Sequence, residues 1–343
     1  MAQLSEITKI DKRIKDKLLY LGGMSLIFLM IMPSFGLTFL LPWGEGAELY
    51  WQLRFPRAVA TWLIGAGLAL AGLVLQAILR NPLAEPFTLG VAAGASLGAA
   101  IYIYWGISFS LGIMTGLTIF AFIGALIVTI IIYQVNFRTG HSPIKLLLMG
   151  VILTFFISSI LMLLQALGRS SSALAMMSWM MGRLSLISLN DLWQLLLITG
   201  FSSIIIFRSL IPLNLLQQGQ EVALSRGVDS ARVMQVLFLV VSLMTAVFVA
   251  IAGPIGFVGM VVPHLVKRIL GSSDHRYLFW GVIFMGGGLL VVADTLGSLI
   301  LRPSEIPVGV VTALLGAPFF LYLLLKGGHR DRFVKVSRSR RGS

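Results

Sequence analysis

The chain has 343 residues, of which 57% are hydrophobic and only 11% are charged, and its mean hydropathy is +0.95. A soluble protein of this size cannot cover so much apolar surface with polar groups, so the composition places the chain in a lipid bilayer. The sequence contains no cysteine, which excludes disulfide bonds, thiol chemistry and cysteine-based metal sites. We attribute the net charge of +13 to basic loops on the cytoplasmic side of a membrane, and not to nucleic-acid binding.

Apolar windows of roughly 20 residues, long enough to cross a hydrocarbon core of about 30 Å as helices, recur along the chain. The predicted fold class is therefore all-α, a polytopic membrane protein with about ten transmembrane helices. The predicted spans, in chain order, are 18–41, 57–79, 87–105, 113–134, 144–167, 191–210, 233–252, 258–270, 277–300 and 307–325.

Both ends of the chain are basic. The tail 1–17 contains five Lys or Arg residues and the tail 326–343 contains seven. The positive-inside rule places both tails in the cytoplasm, which requires an even number of spans and puts most of the other basic residues inside as well. The predicted organisation is an N-terminal cytoplasmic tail, one transmembrane domain over 18–325 and a C-terminal cytoplasmic tail.

Five basic residues fall on the outside in this arrangement, and all of them are Arg. The planar guanidinium group binds carboxylates through paired hydrogen bonds. Arg54, Arg57 and Arg302 lie at span ends near prolines that fix the local backbone. We therefore expect these three to dock an acidic surface, with snorkelling from the helix ends as the alternative.

Two stretches interrupt the helical pattern. RNPLAEP at 80–86 contains prolines that cannot donate backbone hydrogen bonds, and GPIGFVG at 253–259 is rich in glycine. Irregular backbone at membrane depth is tolerated only inside the protein or beside a water-filled cavity, so the two breaks predict a translocation path, with simple kinks as the alternative. The residues assigned to this path or to its gating are Gln76, Asn81, Pro82, Gly90, Gly94, Gly253, Pro254, Gly256, Pro263 and His264.

Small residues recur every four positions in the third predicted span, at Gly90, Gly94 and Gly98. Glycines at this spacing share one helix face and let neighbouring backbones approach closely. The third span is therefore predicted to pack against other helices and not against lipid.

Asp294, in the stretch VVADTLGSL, is the one clear ionisable residue deep within a predicted span. An ion-coupled transporter would normally need several such groups, so Asp294 is interpreted as an intramembrane hydrogen-bonding hub, with an ion site as the alternative. The sequence contains neither a P-loop nor the spacing of a metal-binding motif, and its four histidines are scattered. No catalytic residue and no metal ligand is therefore assigned.

The segment 211–232 reads IPLNLLQQGQEVALSRGVDSAR and is too polar to span a membrane. Residues 221–225 are predicted to be helical, and Gly227 is predicted to end that helix. The segment is interpreted as a short cytoplasmic helix that contacts a partner, with an ordinary amphipathic loop as the alternative.

Several stretches, in this order and spacing, resemble the ABC importer permeases for ferric siderophores, haem and cobalamin, the FecCD-type family. The resemblance covers nearly the whole chain. The stretches are LRFPR at 53–57, GAGLALAGLVLQAILRNPLAEPFTLGVAAGASLGAA at 65–100, GPIGFVGMVVPHLVKR at 253–268, DHR at 274–276, ADTLGS at 293–298 and EIPVGVVTALLGAPFFLYLL at 305–324.

The resemblance implies a transport subunit of the bacterial cytoplasmic (inner) membrane that is not an enzyme and binds no cofactor itself. It implies a second permease, identical or related, two cytoplasmic ATPase subunits that bind ATP and Mg, and an external binding protein. The cargo would be a ferric siderophore, or haem or cobalamin, moved into the cytoplasm by ATP-driven alternating access. The alternative is a secondary transporter that is driven by an ion gradient and uses Asp294.

The family's motifs also imply roles for particular residues. EVALSRG at 221–227 is similar to the E-A-A-x-x-x-G pattern that ABC importer permeases insert into a cleft of the ATPase, with Val222 as a departure. This similarity assigns ATPase coupling to Glu221, Ala223, Arg226 and Gly227, and we call residues 211–232 the coupling segment. Arg54, Arg57 and Arg302 match positions where the family presents basic residues to the binding protein. The family often has Arg where this chain has Ser298.

Overall fold

The computed structural model describes residues 2–339 except 37, 45, 113, 139–142, 185–186 and 302–303. The described residues are helical almost throughout, with one antiparallel pair of short strands, β1 (Ser110–Leu111) and β2 (Met114–Thr115). The helices are α1 (Ala2–Ile31), α2 (Ala47–Leu49), α3 (Phe55–Leu79), α4 (Val91–Trp105), α5 (Gly116–Arg138), α6 (Pro143–Leu167), α7 (Ser170–Met180), α8 (Leu189–Arg208), α9 (Leu210–Gln218), α10 (Gln220–Ser225), α11 (Ser230–Ala252), α12 (Val258–Leu270), α13 (His275–Ile300) and α14 (Val308–Ser339).

The predicted all-α membrane fold is confirmed. Among the described residues, seven helical segments are long and apolar enough to cross a membrane, and α4 and the first part of α14 are shorter apolar helices. With the 13-residue helix α12, these elements overlap all ten predicted spans. The placement of both termini in the cytoplasm stays a prediction.

Some boundaries differ from the predicted ones. The first helix begins at Ala2 instead of near residue 18, and α14 continues to Ser339. The third span begins at Val91 instead of at residue 87, because Pro86–Leu89 form a 3-10 turn in which Glu85 and Thr88 cap one another. Helix α7, which packs against α4 and α6, was not predicted because it is too short to produce a spanning signal.

Helix α3 is the centre of the molecule and is buried along nearly its whole length. Its sequence is apolar on all faces, which is the pattern of a helix surrounded by other helices. It packs most extensively against α13 and also against α12 and α11. A Cβ atom added at Gly65 or Gly72 would collide with the backbone of Gly286 or Gly259, respectively, so these glycines allow the close approach.

The predicted close packing of the third span is confirmed for α4. A Cβ atom at Gly94 would collide with the carbonyl of Gly124, and one at Gly98 would collide with the carbonyl of Phe120, both in α5. Gly90 faces the backbone of Gly150 in α6. The four-residue glycine spacing therefore reports packing between helices, as interhelical glycine motifs usually do.

Candidate functional site

The coupling segment contains two helices and not one. Gly219, with φ 141° and ψ 150°, separates α9 from the six-residue helix α10. Ala223 is fully buried and anchors α10 to the body of the protein, whereas Glu221 and Arg226 are exposed. Helix α10 therefore presents most of its side chains to the surroundings, which is the geometry of a contact element.

The end of α10 is closed by backbone hydrogen bonds. The amide of Gly227 donates to the carbonyl of Leu224, and the amide of Val228 donates to that of Ala223, each at 2.9 Å. Gly227 has a φ of +76°, and a Cβ atom there would meet nothing within 4 Å. Glycine is needed at this position for its backbone conformation, and the predicted end of the helix is confirmed.

Arg57, in the first turn of α3, is bound by two carboxylates of the same chain. Its Nε and Nη2 atoms donate to the two oxygens of Asp294 at 3.0 and 2.9 Å, and its Nη1 and Nη2 atoms donate to Glu305 at 3.3 and 3.1 Å. The side chains of Arg57, Asp294 and Glu305 are 24%, 15% and 28% exposed. We call these three residues the Arg57 cluster; it ties α3 to α13 and to the segment before α14.

The other arginines assigned to docking have different surroundings. The guanidinium group of Arg54 donates to the backbone carbonyls of Pro33, Ser34 and Thr38, of which the last is at 2.8 Å. Arg54 and the Arg57 cluster together line a cavity of about 160 Å³. Arg302 lies outside the described residues. The docking role of all three arginines therefore stays a prediction, and the structure places the guanidinium of Arg57 against Asp294, the residue interpreted as a hub.

The two predicted backbone breaks meet inside the molecule. Glu85, from the first break, accepts a hydrogen bond from the backbone amide of Phe257 at 3.1 Å, at the start of α12. Gln76 donates from Nε2 to the carbonyls of Gly259 and Met260 at 3.3 Å. The first turn of α12 is thus held by polar side chains of α3 and of the loop that follows α3.

Glu85 is a buried carboxyl group whose neighbours are backbone groups. Burial raises its pKa to about 7, and the hydrogen bonds from the amides of Phe257 and Met260 oppose that shift only in part. None of the causes of this shift is a charged side chain. Glu85 is therefore able to exchange a proton near neutral pH.

A cavity of about 640 Å³ adjoins the second break. Its walls come from the loop before α4, from α4, α6, α7 and α14, and from the segment 254–257, and they include Glu85, Pro254 and Gly256. Ser96 and Thr154 also line it. A second cavity, of about 440 Å³, lies between α1, α12, α13 and α14 and is almost entirely apolar.

The remaining path residues lie away from the larger cavity. Asn81 accepts a hydrogen bond from the amide of Leu83 in the turn after α3, beside the exposed Pro82. Pro263 is buried within α12, and His264 beside it is half-buried. Gly90 and Gly94 pack between helices, and Gly253, with φ +71°, ends α11 against the carbonyl of Trp179. Of the predicted path residues, the structure thus brings Pro254 and Gly256 to the cavity wall.

The sequence analysis missed three polar residues that connect elements: Glu85, Asn214 and Glu305. Their partners lie 60 or more positions away along the chain, and no periodic pattern links them. For the Arg57 cluster, the sequence offered one signal: an arginine at the end of one span and an unpaired aspartate within another, two opposite charges that could have been predicted to bind each other. Within the described part of the chain, no three His, Asp or Glu side chains gather into a potential metal site.

Comparisons with known proteins agree on one kind of transporter. The model of the FecCD transport family matches residues 19–326. The vitamin B12 import system permease protein BtuC of Escherichia coli is 38% identical over 320 residues, which cover 91% of this chain and 95% of that protein. A protein of Methanocaldococcus jannaschii assigned as an ABC transporter permease is 39% identical over 287 residues, covering 80% and 81% of the two chains.

The fold has a close counterpart among solved structures. A protein assigned to the metal-chelate type of ABC transporters, in an inward-facing conformation, superposes with a TM-score of 0.81. That structure is 29% identical in sequence and covers 91% of this chain and 99% of its own.

Proposed function

The chain belongs to the FecCD transport family, and from that premise we propose that it is the permease of a binding-protein-dependent ABC importer for a ferric chelate, haem or cobalamin. It is a multi-pass protein of the cytoplasmic membrane. A ferric siderophore is our first choice of cargo. The similar proteins described above include a vitamin B12 permease and a metal-chelate transporter, so the identity of the cargo has to be determined by measurement.

One observation carries the proposed coupling to ATP hydrolysis. Helix α10 is anchored by the buried Ala223 and closed by Gly227, yet its outward side is exposed and includes the apolar residues Val222 and Leu224. Exposed apolar side chains on a short, well-defined helix are typical of an element that is covered by a partner. We assign that partner as one of two cytoplasmic ATPase subunits, which would bind the ATP and Mg.

The proposed mechanism follows from the connections of this helix. Closure of the ATPase pair around ATP would move α10, and α9 and α11 on either side would carry the movement into the membrane domain. A second permease, identical or related, would complete the pathway. The two halves would then alternate between outward-open and inward-open states around a central cavity.

The cavity of about 640 Å³ fits the wall of such a pathway. It lies where the two backbone breaks meet, and apolar residues form most of its surface, with Glu85, Ser96 and Thr154 among the polar ones. A wall of this kind recognises few features of a cargo, so selection would rest mainly with an external binding protein. Arg54, Arg57 and Arg302 remain the proposed contacts for that protein.

A secondary transporter that uses Asp294 is the competing function. Asp294 accepts two hydrogen bonds from Arg57, and that ion pair occupies the carboxylate that would have to bind the coupling ion. No described contact of Asp294 favours this alternative over the importer.

The test is uptake into proteoliposomes that contain the permease with the ATPase and binding protein encoded beside it. Labelled ferric siderophores, haem and cobalamin are offered with and without ATP. We expect ATP-dependent accumulation of one cargo. If accumulation does not depend on ATP and no ATPase co-purifies with the permease, the proposal is wrong.

Two substitutions test the coupling segment within the same assay. Glu221→Ala removes an exposed charge of α10, and Gly227→Val forces a β-branched residue into a left-handed backbone conformation, which strains the turn after α10. Both variants should fold, but both should lose ATP-dependent uptake. Glu48→Ala, which removes an exposed carboxylate from α2, is the matched control and should retain uptake.

A further inference from the structure

The motif DHR at 274–276, which the proposed function leaves without a role, forms the start of α13. Asp274 is the N-cap residue: its Oδ1 atom accepts a hydrogen bond from the backbone amide of Arg276 at 2.9 Å. Its carboxylate also pairs with the guanidinium group of Arg276 at 2.7 Å. A carboxylate at this position satisfies free backbone amides and interacts favourably with the helix dipole, so the first turn of α13 is well defined.

Asn214, in the middle of α9, is bound to this cap. Its Nδ2 atom donates to Oδ1 of Asp274 at 2.9 Å. Its Oδ1 atom accepts from the backbone amide of His275 at 2.9 Å and lies 2.6 Å from Nδ1 of the His275 ring. Because an amide oxygen can only accept, Nδ1 is the protonated nitrogen of that ring. One side chain of α9 therefore makes three hydrogen bonds to the first turn of α13.

His275 is fully buried, and its Nε2 atom has no hydrogen-bond partner within the described residues. The orientation of the ring consequently depends on its contact with Asn214. Buried polar groups normally have hydrogen-bond partners. Among the residues that the structure describes, the ring of His275 has such a partner only at Nδ1, so α9, through Asn214, fixes its orientation. The junction between α9 and α13 is thus both polar and specific.

The position of this junction relates it to the coupling segment. Gly219 alone separates α9 from α10, and α9 packs against α13 and α3. Helix α11 is connected to α10 through the chain itself, by residues 226–229, whereas α13 is connected to the coupling segment only through packing and Asn214. At its other end α13 carries Asp294, the partner of Arg57.

We propose that Asn214 is the joint through which movement of the coupling segment reaches α13. The inference rests on the proposed function, because it assumes that α10 is moved by an ATPase. Asn214 is a positioning residue in this proposal. It would make α9 and the start of α13 move as one body, so that α13 transmits the movement through the membrane domain.

The charged groups around the joint are Asp274 and Arg276 of α13, Lys267 of α12, and Asp11 of α1, which lies close enough to interact with Arg276. Burial alone would raise the pKa of Asp274, but hydrogen bonds from Arg276 and Asn214 outweigh it and lower this pKa to about 2. Asp274 is therefore ionised under all conditions in which transport is measured. The residue at position 214 must accordingly supply a hydrogen-bond donor.

The first test replaces Asn214 by Leu, which has a similar size and no hydrogen-bonding group. In proteoliposomes with the ATPase and binding protein, we expect the amount of cargo accumulated per ATP hydrolysed to fall about tenfold, a typical size for coupling between sites. Co-purification of the ATPase should be unchanged. Asn190→Leu, at an exposed position near the start of α8, is the matched control and should keep the wild-type ratio.

The second variant, Asn214→Asp, tests whether the hydrogen bond to Asp274, and not packing alone, makes α9 and α13 move together. Its ionised carboxylate would face Asp274 without a donor, whereas its protonated form would donate an O–H hydrogen bond as the amide does. Two carboxyl groups that share a site raise one pKa strongly. The cargo-to-ATP ratio of this variant should therefore recover as the pH is lowered, and that of Asn190→Asp should not change relative to wild type. This variant also decides the matter if Asn214→Leu fails to fold.

The outcomes are distinguishable. If the wild type imports cargo with ATP and both Asn214 variants keep its cargo-to-ATP ratio at every pH, the joint is overturned and the proposed function stands. If the wild type accumulates no cargo with ATP, the proposed function fails and the joint fails with it.

Discussion

The two ends of the molecule treat their charged residues in opposite ways. In the Arg57 cluster, three charged side chains bind one another and are at most 28% exposed. In the coupling segment, Glu221 and Arg226 are exposed, and the one fully buried side chain of α10 is the methyl group of Ala223.

This difference indicates different uses of charge. Removing one partner of a buried ion pair is strongly destabilising, whereas exposed charges contribute little to stability. The Arg57 cluster therefore stabilises the contact between α3, α13 and the segment before α14. The charges of the coupling segment contribute little to the fold and are available to a partner.

The largest expected effect is that of Arg57→Ala. It leaves Asp294 and Glu305 as two neighbouring carboxylates without a cation, which should cost about 3–5 kcal/mol of folding free energy. Thermal unfolding of the purified protein in detergent should show a clearly lower midpoint.

Two further variants complete this test. Arg57→Lys keeps the charge but loses the paired hydrogen bonds, so its midpoint should lie between those of the wild type and Arg57→Ala. Arg226→Ala, at the exposed end of α10, should unfold like the wild type. Equal midpoints for Arg57→Ala and Arg226→Ala would abolish the contrast between the two ends.

A smaller effect is expected from Gly72→Ala in α3, the helix that carries Arg57. The added methyl group would collide with the backbone of Gly259 and should cost about 1–3 kcal/mol, as overpacking of a close contact does. Gly23→Ala in α1 is the control, because nothing lies within 4 Å of its added methyl group. The same unfolding assay should separate the two variants, and a stable Gly72→Ala variant would show that α3 and α12 are free to move apart.

A pH-dependent effect is expected from Glu85, a buried carboxyl group that lies in neither charged region. Its folded-state pKa of about 7 exceeds the ordinary glutamate pKa of 4.5, so the folded state binds the proton more tightly. The stability contributed by this proton is fully present below pH 4.5 and is lost as the pH rises through 7. Relative to that of Glu85→Gln, the unfolding midpoint of the wild type should fall over this interval.

Glu85→Gln should remove that slope because the amide does not titrate, whereas Glu48→Gln, at an exposed position, should retain it. Parallel pH profiles for the wild type and Glu85→Gln would show that Glu85 titrates normally in the folded protein.

Hydropathy predicts most of this fold because each span must satisfy its own backbone in lipid and must be long enough to cross it. The same local logic places the helix at 221–225 and its end at Gly227, and it explains the packing of Gly94 against α5. It misses α7, whose 11 residues are too few to produce a spanning signal.

The polar contacts between helices are less accessible from sequence. Arg57 pairs with residues 237 and 248 positions away, and Asn214 pairs with a residue 60 positions away. Lone polar residues carry no period that would identify their partners, so Glu305, Glu85 and Asn214 become visible only once the helices are assembled. For the same reason, the sequence assigned Arg57 to an external partner while the structure places an internal one beside it.

Cross-linking tests the central contrast most directly, because the chain has no cysteine and each single-cysteine variant carries one thiol. Leu224→Cys marks α10 and Leu49→Cys marks the opposite end, at positions that are 60% and 53% exposed. In the assembled transporter, a short cross-linker should join Leu224→Cys to the ATPase subunit and should not join Leu49→Cys to it. A link from Leu49→Cys to the ATPase, with none from Leu224→Cys, would contradict both the assigned coupling segment and the proposed orientation of the chain.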